Sequence, residues 1–218
     1  MDNYYIKIDP IPREIVYLQG TGCQWGACES CEYKDLTNQN PYEYNLPIIE
    51  QVTGVYSRLD VITTGSFCEL DPLTLQKLKE TIIDKKIQTL AVDLHYMYHL
   101  AIPRLKCEFP CNLIFYCLLG GIERKKQLML SKGIPKNVSI DDIAKHFKGV
   151  NIVCCIHGET RESILEEIIN GLQTFEYLHL QLSHEKMGPV QRNEELVQWF
   201  IETLYPTMKK NPRVTIEM

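Results

Sequence analysis

The sequence has no run of about 18 apolar residues, the length a helix needs to cross a bilayer, so no spanning helix is expected. A basic excess is also missing. Lys and Arg number 23 against 28 Asp and Glu, a formal net charge of −5, which offers no general field for nucleic acid. The best local basic patch is Lys125, Lys126, Lys132 and Lys136. The opening Met1-Asp2-Asn3-Tyr4-Tyr5 lacks the basic stretch and apolar region of a signal peptide, and a cytoplasmic protein is expected. Without an internal linker, exact repeat or low-complexity tract, residues 1–218 read as one domain with one sizeable core.

Cysteine, by contrast, is abundant. Nine cysteines form an odd set with no export signal, which argues against a disulfide framework. Cys117, Cys154 and Cys155 lie inside apolar runs and read as core. Cys107 and Cys111 flank Pro110 too sparsely to suggest a second metal. His95 and His99, four apart, offer only two ligands.

Short apolar runs alternate with amphipathic stretches. The runs Ile15–Gln19, Leu59–Thr63, Thr89–Leu94, Asn112–Leu118, Val150–Ile156 and Tyr177–Leu182 are only partly alternating, as in strands buried on both faces of a parallel sheet. Arg213–Glu217 adds a short final strand. Helical spacing appears at Leu46, Ile49, Val52, Tyr56 and Leu59, at Leu75, Leu78 and Ile82 behind Pro72, over Ser163–Leu172 and over Asn193–Tyr205. Strands alternating with helices imply an α/β fold, and six units suit a partial (β/α)6 TIM-like barrel with a parallel sheet. Ligands of such sheets bind at the carboxyl ends of the strands, so the loops after each run carry the information.

The first of these loops holds Cys23, Cys28 and Cys31 within nine positions, among Gly20, Gly22 and Gly26. Thiolates bind iron, and three of them leave one corner of a [4Fe–4S] cubane open to a small molecule. Zinc is the alternative, with Cys68 or Cys107 completing a quartet in space.

This triplet behind the first strand resembles that of the radical S-adenosylmethionine (SAM) superfamily, with C-x4-C-x2-C in place of the usual C-x3-C-x2-C, and Ser30 where relatives carry a large apolar residue. The resemblance continues in chain order. Thr64-Gly65-Ser66-Phe67 is similar to the S-G-S-F form of the glycine-rich strand in the radical subunit of archaeosine synthase and its relatives. Gly121-Ile122-Glu123-Arg124 and Ser131-Lys132-Gly133 resemble the G-I-E and [NK]-[KR]-G elements. Ile156-His157-Gly158-Glu159-Thr160 resembles a G-x-P-G-E-T loop, although Thr160 also suits a helix cap.

The resemblance implies a [4Fe–4S] cluster on Cys23, Cys28 and Cys31, with SAM contacted by Gly65, Ser66, Glu123, Arg124, Lys132 and Tyr33. It implies reductive cleavage of SAM and hydrogen abstraction from a substrate by a 5′-deoxyadenosyl radical. The expected partners are a flavodoxin- or ferredoxin-like electron donor, a substrate that is a small molecule, a peptide or a modified nucleoside or tRNA, and a partner subunit if RNA is bound. A non-enzymatic zinc- or cluster-binding module is the competing reading. Asp93, His95, Tyr96, His157, Gln181 and His184 are candidates for lining the pocket.

Overall fold

The computed structural model describes residues 3–29, 31, 36–183 and 190–217. Eight strands follow one another in sheet order as they do in the chain: β1 (Tyr4–Lys7), β2 (Arg13–Leu18), β3 (Arg58–Thr63), β4 (Thr89–Leu94), β5 (Asn112–Gly120), β6 (Gly149–Cys154), β7 (Tyr177–Leu182) and β8 (Val214–Glu217). The pairs β2/β3, β3/β4, β5/β6, β6/β7 and β7/β8 are parallel. Helices α1 (Pro41–Ile49), α2 (Pro72–Asp84), α3 (Ile102–Glu108), α4 (Arg124–Met129), α5 (Ile140–Ala144), α6 (Arg161–Thr174), α7 (Glu194–Trp199) and α8 (Tyr205–Met208) lie between the strands, with a π-helical turn, Phe200–Leu204, joining the last two. The fold is therefore α/β with a mostly parallel sheet. Backbone contacts divide it into two compact units, Met1–Gly26 with Tyr33–Phe115, and Ala27–Glu32 with Tyr116–Met218.

In the first unit, the core forms from Val16, Leu18, Leu59, Val61, Leu90, Val92 and Leu94 on the strands and Leu78 and Ile82 on α2. Helix α2 begins where expected, because Asp71 accepts from the backbone N–H groups of Leu73 and Thr74 at 3.0 Å and Pro72 needs no partner there. Two features differ from the sequence reading. Strand β1, four partly exposed residues paired antiparallel to β2, carries too little pattern to be read in advance. Helix α1 stops at Ile49, although the apolar spacing continues to Leu59. The reason lies on β2. Glu14, fully buried, accepts from Thr53 N at 2.7 Å, Gly54 N at 2.7 Å, Thr53 Oγ1 at 3.0 Å and Tyr4 Oη at 2.8 Å. It takes for itself the N–H groups that a longer helix would have used. Burial, then the bond to Glu14, pushes the Tyr4 phenol up to about 12.

In the second unit, all six residues of β6 are buried, as a strand covered on both faces requires. Helix α6 starts at a cap in which Thr160 Oγ1 accepts from Ser163 N at 3.1 Å. An ion triad ties the loop behind β5 to the loop behind β6. Lys126 Nζ lies 2.5 Å from Glu167 and 2.6 Å from Glu159. Glu167 also accepts from Ile122 N at 2.7 Å, and Glu159 from Ile156 N at 2.8 Å. Burial opposes the charge on Lys126, but its anionic neighbours, Glu167 foremost, outweigh burial and hold the ammonium above its ordinary range. Among the described residues no helix is long and apolar enough to cross a membrane.

Two stability predictions follow from these buried charges. Glu14→Ala strands four donors and should cost about 3 kcal/mol, read as a lower urea midpoint with an unchanged slope. A midpoint within error of the wild type would contradict the role given to Glu14. Lys126→Met leaves the buried Glu167 and the partly exposed Glu159 without a counter-charge and should cost about 3–5 kcal/mol. Adding Glu159→Gln and Glu167→Gln should recover part of that loss in the same denaturation experiment, because the uncompensated charge is then gone.

Candidate functional site

The loop behind β2 is held from three sides within the first unit. Asn45 of α1, fully buried, accepts from Gln19 N at 2.8 Å and donates to Gln19 O at 2.8 Å and Thr74 Oγ1 at 3.1 Å. Gly20 N donates to Thr64 Oγ1 at 3.2 Å. Glu69, which closes the short 3-10 turn Phe67–Glu69, takes the rest: its carbonyl accepts from Thr21 N at 3.2 Å, and its carboxylate from Gln24 N at 2.9 Å and Ser66 N at 2.6 Å. Tyr98 Oη lies 2.9 Å from the Glu69 carboxylate and 2.9 Å from Gln24 Oε1. Burial first, and then the bond to Glu69, holds the Tyr98 phenol above its ordinary range.

Gly65 and Ser66 sit against this loop. A Cβ on Gly65 would run into Glu69 Oε2 while meeting the Cα of Cys23 at an ordinary contact distance of 3.4 Å, so glycine here leaves the Glu69 carboxylate its place. Ser66 is buried, and its hydroxyl accepts from His95 N at 3.1 Å, joining the loop behind β3 to the one behind β4. The indole of Trp25 stacks on the His95 ring at 5.4 Å and 20°. His95 Nδ1 accepts from Met97 N at 3.2 Å, and His99 Nδ1 pairs with Tyr96 O at 2.9 Å. Both histidines thus engage Nδ1 with nearby backbone.

Cys23, Cys28 and Cys31 are half-buried and form no disulfide. Cys23 groups with the first unit, and Cys28 and Cys31 with the second. Gly26, in the left-handed region at φ 57°, points its N–H at Cys23 Sγ from 3.5 Å, the kind of bond that stabilises a thiolate ligand. Among the described residues, no three His, Cys, Asp or Glu side chains converge on a point that could hold one metal ion. A cubane makes no such demand, because each thiolate binds a different iron. Three thiols in a glycine-containing loop with an N–H aimed at sulfur fit that group. Cys68, the suggested fourth zinc ligand, has a thiol that burial pushes up to about 11.

Asp93 and Tyr96 lie in the first unit, and the second carries Glu123, Arg124, Lys132, His157 and Gln181. Its part of the cysteine loop is tied down by Glu29 N, which donates to Leu130 O at 3.2 Å. A cavity of about 450 Å³ is lined by Glu123, Lys125, Lys126, Met129, His157 and Glu159, among others. Glu123 stands exposed at the head of α4, and His157 is likewise exposed. Arg124 is engaged elsewhere, donating to Ile134 O at 2.7 Å and Gln127 Oε1 at 3.2 Å. Gln181 accepts from Asn151 Nδ2 at 3.3 Å. Lys126 and Lys132 are buried, so the four lysines read as a local basic patch do not form a solvated face. Pairing with carboxylates, which the sequence does not display, accounts for Lys126. Tyr33 and His184 lie outside the described residues.

The sequence reading brought Gly65 and Ser66 to the cysteine loop but passed over Glu69, Tyr98, Trp25 and Asn45. Glu69 had a signal of a kind, a carboxylate inside the apolar Phe67–Leu70 stretch, where burial without a partner would be costly.

No protein-family model matches the chain, and no curated protein matches it. Solved structures do. The chain is similar to a queuine lyase from Clostridium spiroforme bound to SAM and queuine, at 28% identity over 100% of this chain and 95% of that one, with a TM-score of 0.90. It also resembles Streptococcus suis SuiB bound to S-adenosylmethionine, at 12% identity, TM-score 0.56 and 93% of this chain, while spanning 49% of SuiB. A second structure of SuiB gives 10% identity and a TM-score of 0.54.

Proposed function

We propose that the chain is a radical SAM enzyme that carries a [4Fe–4S] cluster on Cys23, Cys28 and Cys31 and acts on queuine or a base of the same class. The observation that carries this reading is the end-to-end likeness to a SAM- and queuine-bound lyase, at 28% identity and a TM-score of 0.90. The three-thiol loop, found from the sequence without that comparison, supports it independently. When bound, the cluster supplies the electron that cleaves SAM, and SAM supplies the radical that removes a hydrogen atom from the substrate.

The chain's own residues do the holding. Gly65 leaves room for close approach beside Cys23, and the buried Ser66 fixes the loop behind β3 to the loop behind β4. Glu123, exposed on the cavity wall, is the residue proposed to accept hydrogen bonds from ribose hydroxyls. Arg124 or Lys132 is the cation proposed for the methionine carboxylate; two guanidinium nitrogens of Arg124 also serve Ile134 and Gln127. Tyr33 belongs to this proposal through its place two residues after Cys31. A free base is favoured over tRNA because a net charge of −5 provides little phosphate affinity. A flavodoxin- or ferredoxin-like electron donor and a cytoplasmic setting complete the reading.

Anaerobic reconstitution should give a brown protein with about four irons per chain, and Cys23→Ala should lose most of the iron and the colour. A colourless protein holding a single zinc would overturn the reading. With dithionite and SAM, the holoprotein should release 5′-deoxyadenosine, and added queuine should be consumed. Deoxyadenosine formed while queuine stays intact would keep the radical chemistry and reject the substrate.

A further inference from the structure

We propose that Glu69 is a positioning residue for the cluster, fixing the conformation of the loop on which Cys23 stands. The inference rests on the reading above, because it concerns the residues that would hold that group. The observation is geometric. Glu69 is buried, and it grips the cysteine loop on both sides of Cys23: its carbonyl takes Thr21 N at 3.2 Å and Thr21 Oγ1 at 3.4 Å, and its carboxylate takes Gln24 N at 2.9 Å. The other carboxylate oxygen takes Ser66 N at 2.6 Å, and Tyr98 Oη closes on the first at 2.9 Å. Gly65, without a Cβ, leaves the Glu69 carboxylate room beside the Cα of Cys23.

A carboxylate suits this position and an amide does not. Each oxygen faces a backbone donor, Gln24 N on one and Ser66 N on the other, and the Tyr98 hydroxyl shares its one proton between the first and Gln24 Oε1. In Glu69→Gln, the amide NH2 must turn toward at least one of those donors, where it can accept nothing. The substitution therefore breaks the grip while keeping volume and shape. It also removes a buried negative charge from the neighbourhood of Cys23, and a nearby anion disfavours adding an electron. Loss of that charge should move the reduction potential upward, which a purely structural role would not require.

The test uses the anaerobically reconstituted full chain, with Glu69→Gln and Tyr98→Phe as variants. Unfolding midpoint and far-ultraviolet circular dichroism report the fold. Cluster retention is timed as loss of visible absorbance in the presence of an iron chelator. The midpoint potential and the electron paramagnetic resonance spectrum of the reduced cluster, with and without SAM, report its surroundings. Glu69→Gln should lose iron on the order of tenfold faster, with a raised potential and an altered spectrum with SAM. Tyr98→Phe, which removes one donor and no charge, should lose iron faster by a smaller factor at an unchanged potential, and it decides the matter if Glu69→Gln does not fold. Wild-type retention, potential and spectrum in both variants would overturn the inference while leaving the proposed function standing. A wild-type chain that takes up no iron at all would overturn both.

Discussion

Backbone N–H groups in the loops at the strand ends need partners, and in this protein buried glutamates supply them. A loop that leaves a sheet gives up the ladder that satisfied its amides, and here carboxylates take water's place at several of them. Glu14 answers for Thr53 and Gly54, Glu69 for Gln24 and Ser66, Glu159 for Ile156 and Glu167 for Ile122. Each carboxylate accepts several bonds at once, which offsets the cost of burying its charge. Lys126 adds the counter-ion for the last two.

The arrangement bears on function because both sets of candidate residues hang from these glutamates. In the first unit the cysteine loop, the loop behind β3 and the 3-10 helix Tyr96–Ala101 meet at Glu69. In the second, the start of α4, with Glu123, and the loop carrying His157 meet at the lysine triad on the wall of one cavity. Loops that are free to move cannot present a cofactor or a substrate at a fixed distance. Held loops can, and a sheet with its ligand loops at the carboxyl ends of its strands is a scaffold on which they are held.

Strands were the most legible part of the sequence. Thr89–Leu94 and Tyr177–Leu182 were placed to the residue, because a strand buried on both faces must be apolar nearly throughout and must end where polarity returns. Strand β1 was missed, being short and half-exposed. The overlong reading of α1 failed for a different reason, since its stop comes from Glu14, 39 positions before Thr53 in the chain. Of the candidate site, the thiols and the glycine beside them were legible because few other residue types can do their chemistry or fit their space. Glu69 and Tyr98 were not, because a glutamate near a turn looks the same in a sequence whether it caps, floats or anchors.

By itself, the sequence determined strands β2 to β8, their order along the chain, and the three thiols that bind as thiolates or not at all. Those properties are set by residues near one another, through side-chain period, backbone freedom and the chemistry of sulfur. The tertiary structure alone decided which charges are spent internally. Lys126 turned from a surface cation into the centre of a buried triad, and Glu69 from an ordinary acid into the anchor of Cys23's loop. Pairing of that kind depends on distances between residues 33 to 48 positions apart, and no local pattern encodes it.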